Sequence, residues 1–197
     1  MKSFDYEKAI RNNLVDSSKA IKNSIFLIPE IIKTINAISN CIKNGNKVII
    51  FGNGGSAADA QHVAAELVGR FRIERRSYPA IALTTDSSVI TSIANDYSYD
   101  VIFSRQCESL VSSGDVVIGI STSGNSKNVK NALMVAKKKH AIAIGILGNK
   151  GGTIKNITDI SIIANSSSTP RIQEIHRTIF HIICEIVEKD LIDGEKI

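Results

Sequence analysis

The hydrophobic pattern of the chain changes period after its first fifth. Between about residues 4 and 44, Ile21, Ile25, Ile28, Ile31, Ile32, Ile35, Ile38 and Ile42 recur at three- and four-residue spacings, which predicts amphipathic helix, with Pro29 starting or kinking it. After Asn44-Gly45 short apolar runs take over: Lys47–Phe51, Ala80–Thr84, Val116–Ile120, Ala141–Leu147 and Ile160–Ala164. Helical stretches separate or follow them at Ser56–Arg70, Ser88–Leu110, Ser126–Lys139 and Arg171–Leu191, the last striped by Ile172, Ile175, Ile179, Ile182, Ile183 and Ile186. Continuous apolar runs alternating with helices predict parallel strands covered on both faces. The expected fold class is therefore α/β: a three-layer αβα sandwich with a five-stranded parallel sheet. A single domain spans 1–197, with residues 1–44 as a helical extension.

Composition narrows the partners. A hydrophobic content of 43% and a charged content of 22%, with three prolines, describe an ordinary soluble domain. The net charge of +5 is dispersed apart from Arg70–Arg76 and Lys137–Lys139, so a solvated surface is expected and no nucleic-acid partner. Cys41, Cys107 and Cys184 form no C-x-x-C pair, which suits a reducing, cytoplasmic setting. No uninterrupted apolar run reaches signal-peptide or membrane-spanning length, so no membrane partner is expected.

Ligands of open parallel sheets bind beyond the carboxyl ends of the strands, which directs attention to the loops starting at Gly52, Thr85, Ser121 and Gly148. Gly52, Gly54 and Ala57 have the spacing of a dinucleotide fingerprint. The acidic residue such a site needs about 20 residues on is displaced to Asp86, so no nucleotide is expected. The loop Ser121-Thr-Ser-Gly-Asn-Ser126 ends a strand and opens a helix. Either its hydroxyls and free N–H groups cradle a phosphate, or Ser126 caps the helix and the rest is a polar turn. His62 and Glu66 sit one turn apart, off the stripe of Ala60, Val63, Ala64 and Leu67. They converge on a ligand or form an exposed pair worth a few tenths of a kcal/mol. On the last helix Gln173, Arg177 and His181 make an i, i+4, i+8 row with His176 one position off it, and each histidine is either a site group or a half-buried structural one.

The segments GNGGSAADAQHVAAELVGRF, IANDYSYDVIFSRQ, GISTSGNS and TPRIQEIHRTIFHIICEIVE closely resemble the bacterial phosphoheptose isomerases of the sugar-isomerase (SIS) domain superfamily, in the same order and over nearly the whole chain. The resemblance implies a five-stranded SIS sandwich in a homotetramer, with residues 1–44 serving assembly. It also implies conversion of D-sedoheptulose 7-phosphate to D-glycero-D-manno-heptose 7-phosphate, the first step of nucleotide-activated heptose biosynthesis for lipopolysaccharide or capsule.

By motif, Ser121, Thr122, Ser123 and Ser126 would hold the phosphate, Asn53, Gly54 and Gly55 would line the sugar, and Asn95 and Asp96 would contact its hydroxyls. Glu66 and His181 would be the catalytic pair. Some members bind zinc at the positions of His62, Glu66, Gln173 and His181, all present here, Gln173 and Glu66 then also meeting substrate. One departure is Pro170, where some relatives carry an acidic residue before Arg-Ile-Gln-Glu.

These residue types suit an enediol reaction, in which a carboxylate takes the carbon-bound proton and an imidazole, with an ordinary pKa of about 6.5, moves the oxygen-bound one. A glutamine is a weak zinc ligand, so modest affinity and loss on purification are expected. The alternative is a non-catalytic SIS protein that binds the bacterial replication initiator. That branch lacks the Glu and the late His that this chain has as Glu66 and His181.

Overall fold

The computed structural model describes residues 4–195. Helix α1 (Tyr6–Lys22) is N-capped by Asp5, whose side chain accepts from the Lys8 N–H, and a 3-10 turn at Asn23–Leu27 leads into α2 (Ile28–Lys43). Pro29 stands in the first turn of α2, where its missing N–H costs nothing. Then follow β1 (Val48–Gly52), α3 (Gly55–Val68), β2 (Ala80–Ala82), α4 (Ser87–Asp96), α5 (Ile102–Leu110), β3 (Val116–Ser121), α6 (Lys127–Lys138), β4 (Ile142–Gly148), β5 (Ile160–Ala164) and α7 (Thr169–Glu195). The helical region expected near 88–110 is two helices. Tyr97 leaves helical geometry and a 3-10 turn at Tyr99–Val101 redirects the chain.

All five strands are parallel in the order β2-β1-β3-β4-β5. Alternate residues enter opposite layers, as the two-residue period of a strand requires. Val48, Ile50, Ile118, Ile120, Ile144 and Ile146 pack against α2, α3 and α7, whereas Ile49, Phe51, Val117, Ala143 and Leu147 pack against α5 and α6. Phe51 stacks on Phe103 with ring centroids 5.0 Å apart. A Cβ on Gly119 would meet Val129 and Leu133 at 2.8 Å, so a residue without a side chain lets α6 lie close to β3.

Within the N-terminal segment Tyr6–Lys43 one 18-residue window is apolar enough to cross a bilayer. The segment is broken by the 3-10 turn, and half of that window is buried within the fold. Helix α1 buries none of its residues and leaves Tyr6, Ile10 and Leu14 exposed.

Three buried titratable groups link the fold to pH. Asp115 accepts from the Lys47 ammonium at 2.8 Å and from the Lys47 and Ser112 N–H groups. Burial alone would raise its pKa, but these donors outweigh it and hold it below 3.8. Glu188 is likewise buried, yet the N–H groups of residues 71–73 and Arg75 hold it below 4.5. His176 donates from Nε2 to the Leu147 carbonyl at 2.9 Å, and burial, chiefly, lowers it below 6.5. The unfolded chain thus takes up a proton on His176 first, as pH falls below about 6.5. The stabilisation by Glu188 and Asp115 is complete above their ordinary values and is lost as pH falls through the lowered ones. Stability is expected to decline below pH 6.5 and more steeply below 4.5; a melting temperature that is flat or rises from pH 7.5 to 4 contradicts this.

Candidate active site

The strand order reverses direction between β1 and β3, and the loops leaving these two strands open the crevice where ligands of such sheets bind. Both loops are tied together across it. Asn53 and Asn128 exchange side-chain amide hydrogen bonds of 3.0 and 2.9 Å, and Tyr99 donates its hydroxyl to Asn53 Oδ1 at 2.9 Å. The Asn53 side chain is thereby fixed at the mouth of the crevice. Gly54 has a φ of 56°, a conformation that favours glycine, and it places the chain at the start of α3.

The side chain of Ser126 does not cap α6. Ser126 occupies the N-cap position of α6, but its side chain makes no cap bond to that helix and lies 2.9 Å from Ser121 Oγ. Ser121 and Ser123 hydroxyls are 3.4 Å apart, and Ser123 Oγ accepts from the Asn125 N–H. Three hydroxyls are therefore gathered at a helix N-terminus, where N–H groups and the positive end of the dipole favour an anion. The Thr122 carbonyl accepts from Asn149, fixing the loop from behind.

The second half of the site lies between α3 and α7. Gln173 Nε2 lies so close over Gly55 that a Cβ there would clash with it. One turn on, Arg177 Nη2 and Nε bond the buried Asp59 Oδ1 at 2.6 and 3.1 Å. Beyond that, His62 Nε2 and His181 Nε2 are 3.0 Å apart, and His62 Nε2 is 3.4 Å from Glu66 Oε1. One imidazole donates in the His–His contact while the other presents its lone pair. Because Gly55, Asp59 and His62 meet Gln173, Arg177 and His181 in rising order, α3 and α7 run parallel, with rungs about one turn apart. An open cleft of about 490 Å³ is lined by Ser17, Gln173, Glu174, Arg177 and His181 among others.

The donor set of two imidazoles, a carboxylate and a carboxamide is one zinc accepts. The separations of 3.0 and 3.4 Å around His62 bracket the edge of about 3.3 Å expected of a tetrahedron with Zn–N bonds of about 2.0–2.1 Å. Among the described residues no group of three or more His, Cys, Asp or Glu is closed around a metal position, and Gln173 faces the glycine loop. As they stand the four side chains do not converge on one point, and Gln173 would have to turn from the glycine loop to join the other three.

Some expected positions stay apart within one chain. Asn95 donates to Asp96 at 2.9 Å at the end of α4, and Asp96 lines a separate cleft with Thr85, Arg105 and Gln106. His176 is structural, as its bond to Leu147 shows. Sequence reasoning passed over Asn128, Tyr99 and Asp59, which hold Asn53 and Arg177. A signal existed only for Asp59, at i−3 and i−7 from His62 and Glu66.

A family model for the SIS domain matches residues 12–148. The phosphoheptose isomerase of Geobacter sulfurreducens is 56% identical over 154 residues, 78% of this chain and 82% of that protein. That of Geotalea uraniireducens is 51% identical over 179 residues, 90% of this chain and 95% of that protein. The solved phosphoheptose isomerase of Neisseria gonorrhoeae superposes with a TM-score of 0.90 at 35% identity, over 94% of this chain and 100% of that one. Sheet order, paired loops and the extent of these matches agree that the chain belongs to the phosphoheptose isomerase family of SIS-domain proteins.

Proposed function

We propose that the protein is an aldose–ketose isomerase that converts D-sedoheptulose 7-phosphate to D-glycero-D-manno-heptose 7-phosphate through an enediol. The observation that carries the mechanism is the convergence of Glu66, His62 and His181 between α3 and α7, beside the loops of the sheet crevice. The phosphate sits on Ser121, Thr122, Ser123 and Ser126, and the gathered hydroxyls of the three serines favour an anion. Asn53, Gly54 and Gly55 line the open-chain sugar. His62 lies seven residues beyond Gly55, about 10 Å along the helix, a span comparable to an extended sugar chain. Glu66 removes the proton from carbon and returns it to the neighbouring carbon. His181 moves the proton between the two oxygens.

Holding the phosphate does no chemistry, but it keeps the reacting carbons against the pair. Zinc held by His62, Glu66, Gln173 and His181 would polarise the carbonyl and stabilise the enediolate. Asn95 and Asp96 contact sugar hydroxyls if α4, or the α4 of another subunit, closes on the crevice.

We further propose a homotetramer in the cytoplasm. The unburied α1 and the exposed Ile25, Phe26, Ile28 and Ile32, with Ile182 and Ile186 of α7, form the apolar surface such an assembly would cover, and the three cysteines are free and buried. A monomeric mass at micromolar concentration contradicts the assembly.

The non-catalytic reading is not favoured, because both members of the catalytic pair are present and clustered. A turnover assay on sedoheptulose 7-phosphate, with zinc added and with a chelator, tests the proposal. Turnover that rises with zinc supports both enzyme and metal; no turnover in either condition, with co-purifying replication initiator, overturns the enzyme reading.

A further inference from the structure

Glu188 lies on α7 two turns beyond His181, and its side chain is 2% exposed. Its Oε1 accepts from the Phe71 N–H at 2.8 Å and from Arg75 Nε at 3.2 Å, and its Oε2 accepts from the Arg72 and Ile73 N–H groups at 2.8 and 2.9 Å. One carboxylate thus organises the whole connection that follows α3. Its partner Arg75 is equally buried and lies 3.8 Å from the Tyr78 ring centroid. Arg75 donates in turn to the carbonyls of Glu66 at 2.9 Å, Leu67 at 2.9 Å and Gly69 at 3.2 Å. Glu66 and Leu67 belong to the last turn of α3, whose carbonyls an α-helix leaves without internal partners, and Gly69 is the residue that follows it.

The two arms of this arrangement end on the two proposed catalytic residues. Through Arg75 it binds the backbone of Glu66 itself. Through the Phe71 N–H it fixes a residue whose ring centroid is 6.0 Å from that of His181, within the range of aromatic contact. A buried ion pair needed for stability alone could be replaced by apolar packing at little cost. Here the pair's hydrogen bonds also reach the backbone of Glu66 and of Phe71, although one Arg75 N–H meets the neighbouring Arg76 carbonyl at 2.8 Å.

We propose that Glu188, Arg75 and Phe71 form a positioning clamp that sets Glu66 and His181 against each other. None of the three touches the reacting atoms. The kinetic part of the proposal rests on the isomerase reading above. Arg75→Lys keeps the charge beside Glu188, but three donors on one nitrogen cannot replace a guanidinium fork that meets Glu188 and the carbonyls of Glu66, Leu67, Gly69 and Arg76. Phe71→Leu leaves the ion pair intact and removes the ring from His181.

Both variants are to be compared with the parent, full-length and well below their melting temperatures, for kcat and KM per folded molecule. The imidazole NMR signals of His181 are measured alongside, with His176 as internal reference. The expected result is a kcat lower by on the order of 10- to 100-fold with KM changed by no more than about threefold, since small misplacements act on the reacting geometry. The His181 signals shift and those of His176 stay.

Parent-like kcat in both variants, a loss confined to KM, or unmoved His181 signals overturns the clamp. If Arg75→Lys does not fold, Phe71→Leu decides by the same readings. A parent that turns over no sugar phosphate refutes the reaction instead, and the His181 signals then decide the clamp alone.

Discussion

Glu66→Gln is expected to lower kcat by on the order of 10²- to 10⁴-fold while leaving sugar-phosphate affinity within a few-fold of the parent. The substitution keeps the shape of the side chain and its place one turn after His62. It removes the ability to take a proton from carbon and would weaken zinc held at this position, so the kinetics are read with and without added zinc. A loss of about a thousandfold corresponds to about 4 kcal/mol of transition-state stabilisation. Phosphate binding is untouched because the serine loop lies on β3 and α6, whereas Glu66 is on α3. Steady-state kinetics with calorimetric titration of the sugar phosphate reads both quantities. An active Glu66→Gln enzyme removes Glu66 from the role of base.

Gly55→Ala is the second large effect. Gly55 begins α3, and a Cβ there would clash with the Gln173 amide. Alanine is the better helix former by up to about 1 kcal/mol, so the melting temperature is expected to hold or rise. Activity moves the other way, because the added Cβ displaces the Gln173 amide from the glycine loop and narrows the space over Gly55 that the sugar would use. We expect kcat/KM to fall on the order of 10- to 100-fold. Parent-like kcat/KM in this variant would place Gln173 outside the site.

The strands and most helices were legible because buried parallel strands write continuous apolar runs, and Val48–Phe51, Val116–Ile120 and Ile142–Leu147 are such runs. The break between α4 and α5 was not, since neither glycine nor proline marks it. Tyr97 and Ser98 leave the helix, and Tyr99 then reaches Asn53. Within the site, spacing along one helix was legible: His62 with Glu66, and Gln173 with Arg177 and His181.

Contacts between distant segments were not. Asn53 finds Asn128 75 positions away, and Asp59 finds Arg177 118 positions away. No periodicity of either segment encodes the partner. The resemblance to a known family named His181 beside Glu66; it did not name Asp59, Asn128, Tyr99 or the Glu188 clamp.

The parallel pairing of α3 with α7 also limits how the chain can change length. Adding or removing one residue between Gly55 and Glu66, or between Gln173 and His181, would turn every later side chain by about 100° and slide it about 1.5 Å. Glu66 or His181 would then face the core or the solvent while the helix itself stayed sound. Those two windows therefore behave as fixed rulers, one on each side of the substrate. Between them, loops away from residues 71–75 and 121–128 can absorb insertions without moving any donor of α3 relative to its opposite number on α7.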